Sequence, residues 1–111
     1  MNFDIKRVKI IVTVPSENVD VIRNTLGEAG AGIFEDSYCS ISTKCMGTFK
    51  GSENTNPYIG EKNKLEIIEE EKIEVTCDVD IVKEVLKRLR EVHPYEEPAI
   101  DVIPLINEED L

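Results

Sequence analysis

The segment 93–98, His-Pro-Tyr-Glu-Glu-Pro, carries more chemistry than any other stretch of this chain. It holds the only histidine, beside a phenol and two adjacent carboxylates. Imidazole, phenol and carboxylate groups can bind a divalent cation or a small polar ligand. Its two prolines lock an extended backbone that cannot continue a preceding helix. We therefore predict a rigid connector with ligand-binding candidates His93, Tyr95, Glu96 and Glu97, and His93 as the candidate ligand of a divalent metal ion.

A structural role for the same residues stays open. Tyr95 would then pack on a neighbouring subunit, and a protonated His93 would cap the helix before it, where a cation is favoured. Other catalytic groupings are missing from the sequence. It has one imidazole, no GxSxG elbow and no acid pair that stands out from its many carboxylates, so we do not expect an enzyme.

The three cysteines are Cys39, Cys45 and Cys77. Their odd number and the absence of a CxxC motif argue against disulfides and zinc knuckles. Cys39 and Cys77 occupy apolar-parity positions of two predicted strands, which predicts reduced core thiols. Cys39 and Cys45 would lie about 20 Å apart along one strand, too far to bind one ion.

A second candidate region is the predicted arm, residues 46–64, which is rich in Gly, Asn and Ser and is typical of a long loop or extended hairpin. Backbone N–H groups near its glycines can hold an anion. No phosphate-binding GxxxxGK[ST] or GxGxxG motif is present. The alternative is that its apolar residues, Phe49 and 57–59, pack the arm against protein. The ligand-binding candidates of the arm are Gly47, Thr48, Phe49, Asn56 and Gly60.

The composition limits the partners. The chain has 111 residues, enough for one domain, and a net charge of −10 that disfavours nucleic acid and anionic membranes. No apolar run approaches the roughly 20 residues that span a bilayer, and the N-terminus lacks a signal-peptide core. We expect a soluble, cytoplasmic single domain, 1–111, with an acidic tail at 106–111. The acidic runs 69–71 and 108–110 are predicted to be solvated.

The elements that position these residues follow from periodicity. Alternation predicts a strand at 6–14 and another at 37–46. Residues 64–77 suggest one long strand or two collinear ones, with a bend or bulge near Glu70 that separates an exposed arm from a buried strand. Apolar residues at helical spacing predict a helix through residue 29, which Ser16 can cap, and another at 79–92, for which Asp78 is the cap. Gly30 and Gly32 end the first helix. A final strand, 99–103, either lies at an edge of the sheet or ends at Pro104, because proline cannot donate a ladder hydrogen bond.

This order, with two helices separating the strands, predicts an α+β ferredoxin-like fold: a βαββαβ antiparallel sheet with both helices on one face. The opposite face needs a cover. Ile11 and Ile68 depart from polar parity, and in the last strand Ile100 and Val102 are both apolar beside Ala99 and Ile103. Together these residues indicate that the outer face is partly apolar and buried in an oligomer.

Several ordered blocks of the chain resemble the insert domain of the NGG-interacting factor family, whose members are often called GTP cyclohydrolase type-two homologues. The resemblance spans about residues 6–105. Its blocks are Gly30-Ala31-Gly32, Tyr38-Cys39-Ser40-Ile41, Gly47-Thr48-Phe49, Asn56-Pro57-Tyr58-Ile59-Gly60, Lys64-Leu65-Glu66, His93-Pro94-Tyr95-Glu96-Glu97 and Asp101-Val102.

The resemblance implies the PII/CutA-type fold, a homotrimer in which edge strands and arms pair across subunits, and an arm that corresponds to the ligand-reading loop of PII proteins. Full-length family members add a larger domain with a dinuclear metal site. That domain is not part of this sequence, so the cyclohydrolase name does not carry over. The implied function is a small regulatory or binding module that senses a metal ion or metabolite at inter-subunit clefts. The alternatives are a scaffolding domain that binds a partner protein without a small ligand and, third, a metal-dependent hydrolase.

Overall fold

The computed structural model describes residues 3–54 and 60–111. It contains six strands and two helices, and short 3-10 turns lie at Ser16–Asn18 and Glu108–Asp110 within these described residues. In chain order they are β1 (Arg7–Pro15), α1 (Val19–Glu28), β2 (Ile33–Phe34), β3 (Ser37–Tyr38), β4 (Ile41–Lys50), β5 (Leu65–Asp78), α2 (Val82–Val92) and β6 (Ile100–Pro104).

The main sheet has the strand order β4-β5-β1-β6 and is antiparallel throughout. This is the ferredoxin-like arrangement, so the predicted fold class is confirmed. β6 lies at one edge of the sheet, as Pro104 predicted, because proline has no N–H to give to a further strand. Among the described residues no helix is both long and apolar enough to cross a membrane.

The core lies between the sheet and the two helices. The alternation in β1 and the stripes on both helices supply it, as periodicity predicted. Gly30 and Gly32, which end α1, adopt positive φ angles of 102° and 70°. The buried residues are Val8, Ile10, Val12, Val14, Ile22, Leu26, Ala31, Ile73, Val75, Cys77, Val85 and Leu89.

Local predictions at the ends of elements were less accurate. Ser16 lies in a 3-10 turn and makes no capping hydrogen bond, and α2 begins four residues after Asp78, without a side-chain cap. The predicted strand 37–46 is two elements, because β3 pairs with β2 in a small separate hairpin. Cys39 follows that hairpin and is exposed, so its prediction as a core thiol was wrong; Cys77 is buried as predicted.

β5 is one uninterrupted strand, so the bulge that was one of two alternatives predicted near Glu70 is wrong, although the exposed arm does part from the buried strand at this residue. Its pairing with β4 and β1 advances residue by residue, without an extra residue on either side. The predicted solvation of the run 69–71 is also wrong at its centre, since Glu70 is only 7% exposed. In chain order Glu70 is the first β5 residue that pairs with β1, and it lies opposite Pro15.

On the side of Glu70 that leads back to Leu65, the hairpin of β4 and β5 projects past the rest of the sheet as two paired strands. We call this part, residues 46–50 and 65–69, the ribbon. The register places Met46, Leu65 and Ile67 on the face that continues the helix side of the sheet, and all three are more than half exposed. On the other face Phe49 is 37% exposed. The base of the predicted arm is therefore strand, with apolar side chains on both faces.

The face of the sheet away from the helices is mixed. The register places Ile11, Ile41, Ile68 and Ile103 on it, so it is partly apolar as predicted. Ile100 and Val102 instead point to the helix side, because they pair with the core residues Val12 and Ile10.

The first and last described segments meet at the end of the sheet opposite the ribbon. The side-chain amide of the buried Asn107 donates to the backbone carbonyl of Asp4 at 2.9 Å, and the Lys6 ammonium lies 3.6 Å from a Glu109 carboxylate oxygen. The acidic run 108–110 beside this contact is exposed, as predicted.

Candidate functional site: the connector and the base of the ribbon

The imidazole of His93 is held at both nitrogens. α2 ends at Val92, and the backbone N–H of His93 still donates to the carbonyl of Leu89. Nε2 lies 2.8 Å from the carbonyl oxygen of Thr13, and Nδ1 accepts the backbone N–H of Tyr95 at 3.1 Å. Because Nδ1 accepts, Nε2 carries the proton and donates to Thr13. The neutral ring therefore has no lone pair left for a metal ion in this geometry.

His93 occupies the place of a missing strand. β6 first pairs with β1 at Val12, and the N–H of Thr13 donates to Ala99 at 3.4 Å. The carbonyl of Thr13 faces the same side and would lack a strand partner there. The imidazole of His93 bonds to this carbonyl instead, so the edge of β1 has a hydrogen-bond partner where its pairing with β6 stops.

Burial lowers the pKa of His93 below its ordinary value of 6.5. The hydrogen bond to Thr13 and the negative charge of Glu70 oppose this effect, whereas the positive charge of Arg90 adds to it. A neutral imidazole fits the two hydrogen bonds, since a protonated Nδ1 could not accept the amide of Tyr95. The structural alternative from the sequence, a protonated His93 capping α2, does not match this state.

Tyr95 reaches from the connector to the base of the ribbon. Its hydroxyl donates to Oε2 of Glu70 at 2.9 Å, and its ring centroid lies 5.1 Å from that of His93, tilted by 48°. A buried carboxylate is costly unless hydrogen bonds compensate it. The phenol of Tyr95 supplies one such bond and ties the connector to β5.

Gly47 provides the space for the Glu70 carboxylate. It lies diagonally across from Glu70 on the same face of the sheet. A Cβ at position 47 would overlap Oε1 of Glu70, so any other residue there must displace the carboxylate. His93, Tyr95, Glu70 and Gly47 thus form one continuous set of contacts, which joins α2, the connector, β5 and β4.

The other predicted site residues are not drawn into this set. Glu96 and Glu97 are exposed on the connector. Phe49 shares the face of Gly47, whereas Thr48 points to the opposite face, where it pairs with Ile67. Gly60 adopts a φ of 84° and lies against the side chain of Glu66. Asn56 and residues 57–59 lie outside the described part of the chain. Ligand binding at these positions stays a prediction.

The described residues do not fit a metal ion on their own. Within 3–54 and 60–111, no three His, Cys, Asp or Glu side chains lie close enough together to hold one. All three cysteines are free thiols. Burial, with a smaller effect from Asp78, raises the pKa of Cys77 to about 11, which disfavours the thiolate that a metal needs.

Glu70 is the site residue that sequence reasoning missed. It stands between two other glutamates, a pattern typical of a solvated face. The available signal was parity: Glu69 and Glu71 share the parity of the core residues of β5, which places Glu70 on the opposite face with Ile68. Its burial depends on Tyr95, which lies 25 residues later in the chain.

No family model matches the chain, but comparison with known proteins finds relatives in sequence and in structure. The GTP cyclohydrolase 1 type 2 homolog of Halalkalibacterium halodurans is 46% identical over 101 residues, which cover 90% of this chain and 27% of that protein. The chain thus spans about a quarter of the length of the curated relative that it matches.

Two solved structures resemble the fold. A Bacillus cereus protein related to NIF3 superposes with a TM-score of 0.79 at 36% identity, covering 96% of this chain and 27% of that one. The divalent ion tolerance protein CutA1 from Ehrlichia chaffeensis gives a TM-score of 0.67 at 17% identity, covering 96% of this chain and 89% of that one. At that identity the second likeness concerns the fold alone.

Proposed function

Because the chain is a CutA/PII-like domain of the family that includes the GTP cyclohydrolase 1 type 2 homologs, we propose that it works as a cytoplasmic, homotrimeric sensor of a small polar metabolite. Ligand would bind in clefts between subunits, lined by the connector and the arm. The single observation that carries the proposal is the ribbon, which projects from the sheet with apolar side chains exposed.

The ribbon supports self-association for two reasons. A two-stranded hairpin is marginally stable in water unless further protein packs against it. Its exposed apolar residues are clustered, with Ile67 at 64%, Met46 at 65% and Leu65 at 59% exposure, and clustered apolar surface is typical of interfaces. Packing ribbons on neighbouring copies would cover these side chains and bring each connector close to a second subunit.

A metabolite fits the described residues better than a metal ion. His93 has both nitrogens engaged and no cluster of three ligands exists in the described ranges. Polar groups for a small ligand remain at the exposed carboxylates of Glu96 and Glu97 and at the backbone near Gly47 and Gly60. The hydrolytic activity in the relatives' name is not part of the proposal, since most of their length has no counterpart in this chain.

Native mass spectrometry tests the assembly. We expect a trimer from the unmodified protein and a monomer from Ile67→Lys, because a lysine in an apolar interface is strongly unfavourable. Val79→Lys is the matched control: it adds the same charge at a residue that is 42% exposed and lies outside the ribbon. If the unmodified protein is a monomer, or if both variants remain trimers, the ribbon is not the interface.

A scaffolding domain without a small ligand is the second candidate. The observation in its favour is that the His93–Tyr95–Glu70 contacts satisfy one another within one chain. Thermal melting with a panel of metabolites and nucleotides separates the two, because a ligand that binds only the folded state raises the melting temperature. The sensor is supported if a ligand raises the melting temperature and if Glu96→Gln or Glu97→Gln makes that rise smaller. No stabilisation across the panel, together with a bare trimer, favours the scaffold.

A further inference from the structure

We propose that the contact of Tyr95 with Glu70 is a clasp that fixes the ribbon to the connector, so that a displacement of one is passed to the other. The clasp deepens the sensor proposal and rests on it for its biological meaning. Its existence is a separate matter, because the contacts that define it lie within a single chain.

The position of Glu70 gives the first argument. In chain order it is the first β5 residue held between two neighbouring strands, because residues 65–69 of β5 pair with β4 alone. This is the junction where a two-stranded ribbon leaves a four-stranded sheet. β1 ends here at Pro15, which has no N–H to extend its pairing. Backbone hydrogen bonds from β1 therefore cannot set the angle of the ribbon beyond this point.

The side chain of Glu70 gives the second argument. It is 7% exposed, and its two carboxylate oxygens face different elements. Oε2 accepts the hydroxyl of Tyr95, and Oε1 lies against Gly47 of β4, close enough that a Cβ there would overlap it. The carboxylate thus touches both the connector and the strand partner of β5 at the junction.

The fixed position of the connector gives the third argument. Tyr95 follows His93 by two residues, and its backbone N–H donates to the imidazole that also holds Thr13 of β1. Tyr95 therefore has its backbone tied to the sheet and its hydroxyl tied to the ribbon. A ligand that moves the connector must stretch or break the bond to Glu70, which would release the ribbon.

Amide hydrogen exchange of the full chain without ligand tests the clasp. Tyr95→Phe removes the hydroxyl and keeps the ring. We expect exchange to rise about tenfold or more at 46–50 and 65–69, as for the loss of a hydrogen bond to a charged group, and to stay unchanged at 8–14 in β1. Tyr38→Phe is the matched control, since its buried hydroxyl has no hydrogen-bond partner in the described part of the chain. It should leave the ribbon unchanged.

Gly47→Ala approaches the clasp from the other side. It should displace the Glu70 carboxylate and raise exchange in the same residues. Because both variants break one contact set, their effects should not add in the double variant. Unchanged ribbon exchange in Tyr95→Phe, a rise that extends equally to β1, or full additivity would each overturn the clasp. Native mass spectra of each variant keep this outcome apart from loss of the trimer, which concerns the sensor proposal.

Discussion

Replacing His93 with Phe isolates the hydrogen bonds of the imidazole from its packing. The ring and most of the buried volume remain, but the Thr13 carbonyl and the Tyr95 N–H both lose their partner. A buried group left without a partner costs about 1–3 kcal/mol, so the two together should lower the free energy of unfolding by about 2–6 kcal/mol. That is a large share of the stability of a small domain. Urea unfolding at pH 8 measures it.

The pH dependence of stability gives the same variant a second signature. Burial lowers the pKa of His93 in the folded state below 6.5, so the unfolded chain binds the proton more readily. The contribution of the neutral ring is fully present above pH 6.5. It is lost as the pH falls below 6.5 towards the folded-state pKa. Wild-type stability should therefore decline across this window, and His93→Phe should lack this part of the decline.

The outcome that refutes the reasoning is a His93→Phe protein with wild-type unfolding free energy and an unchanged pH profile. His93→Ala adds a test of function. If His93 serves a ligand, the trimer should survive the substitution while ligand-induced stabilisation is lost. Dissociation of the trimer by native mass spectrometry would assign His93 a structural role.

Two further predictions concern the core and its turns. Native alkylation at pH 8 should modify Cys39 and Cys45 quickly and Cys77 slowly, because burial raises the pKa of the Cys77 thiol to about 11; peptide mass spectrometry measures the rates, and equal labelling of all three would contradict its burial. Gly32→Ala should destabilise the domain by about 2 kcal/mol or more in urea unfolding, because positive φ is strained for alanine and its Cβ would approach the Cys39 carbonyl oxygen to 2.5 Å. Gly30→Ala meets only the end of a side chain and should cost less, so an equal loss at both positions would contradict the collision at residue 32.

Periodicity was sufficient where one face of an element is buried by its own domain. The alternation of β1 and the spacing of Ile22 with Leu26 and of Val85 with Leu89 reflect burial against the same core, so the elements and the sheet order were predictable. The caps were not, because Ser16 and Asp78 are good capping residues that the local turns place elsewhere.

The site was predictable only in part, for a related reason. Proline and histidine mark the connector in the sequence, so His93 and Tyr95 could be chosen as candidates. Their partners are a backbone carbonyl 80 residues away and a carboxylate 25 residues away. Neither partner can be recognised from the nearby sequence. Every residue has a carbonyl, and Glu70 stands between two other glutamates, a pattern typical of an exposed face. The exposed Cys39 likewise follows a small hairpin, whose two strands of two residues each are too short to show a periodic pattern.

The contact between Asn107 and Asp4 has a consequence for how such a domain can be spliced into another protein. Because residues 4 and 107 already touch, a host chain interrupted at a surface loop would need its two cut ends only a short distance apart. The inserted domain would connect the two cut ends as a tight loop does, so the entropic cost of closing the host chain would be small and no stretched linker would be needed. The ribbon, at the far end of the sheet, would then point away from the host and stay accessible to other copies. A domain whose first and last segments touch can therefore be inserted into a surface loop without stretching the host chain.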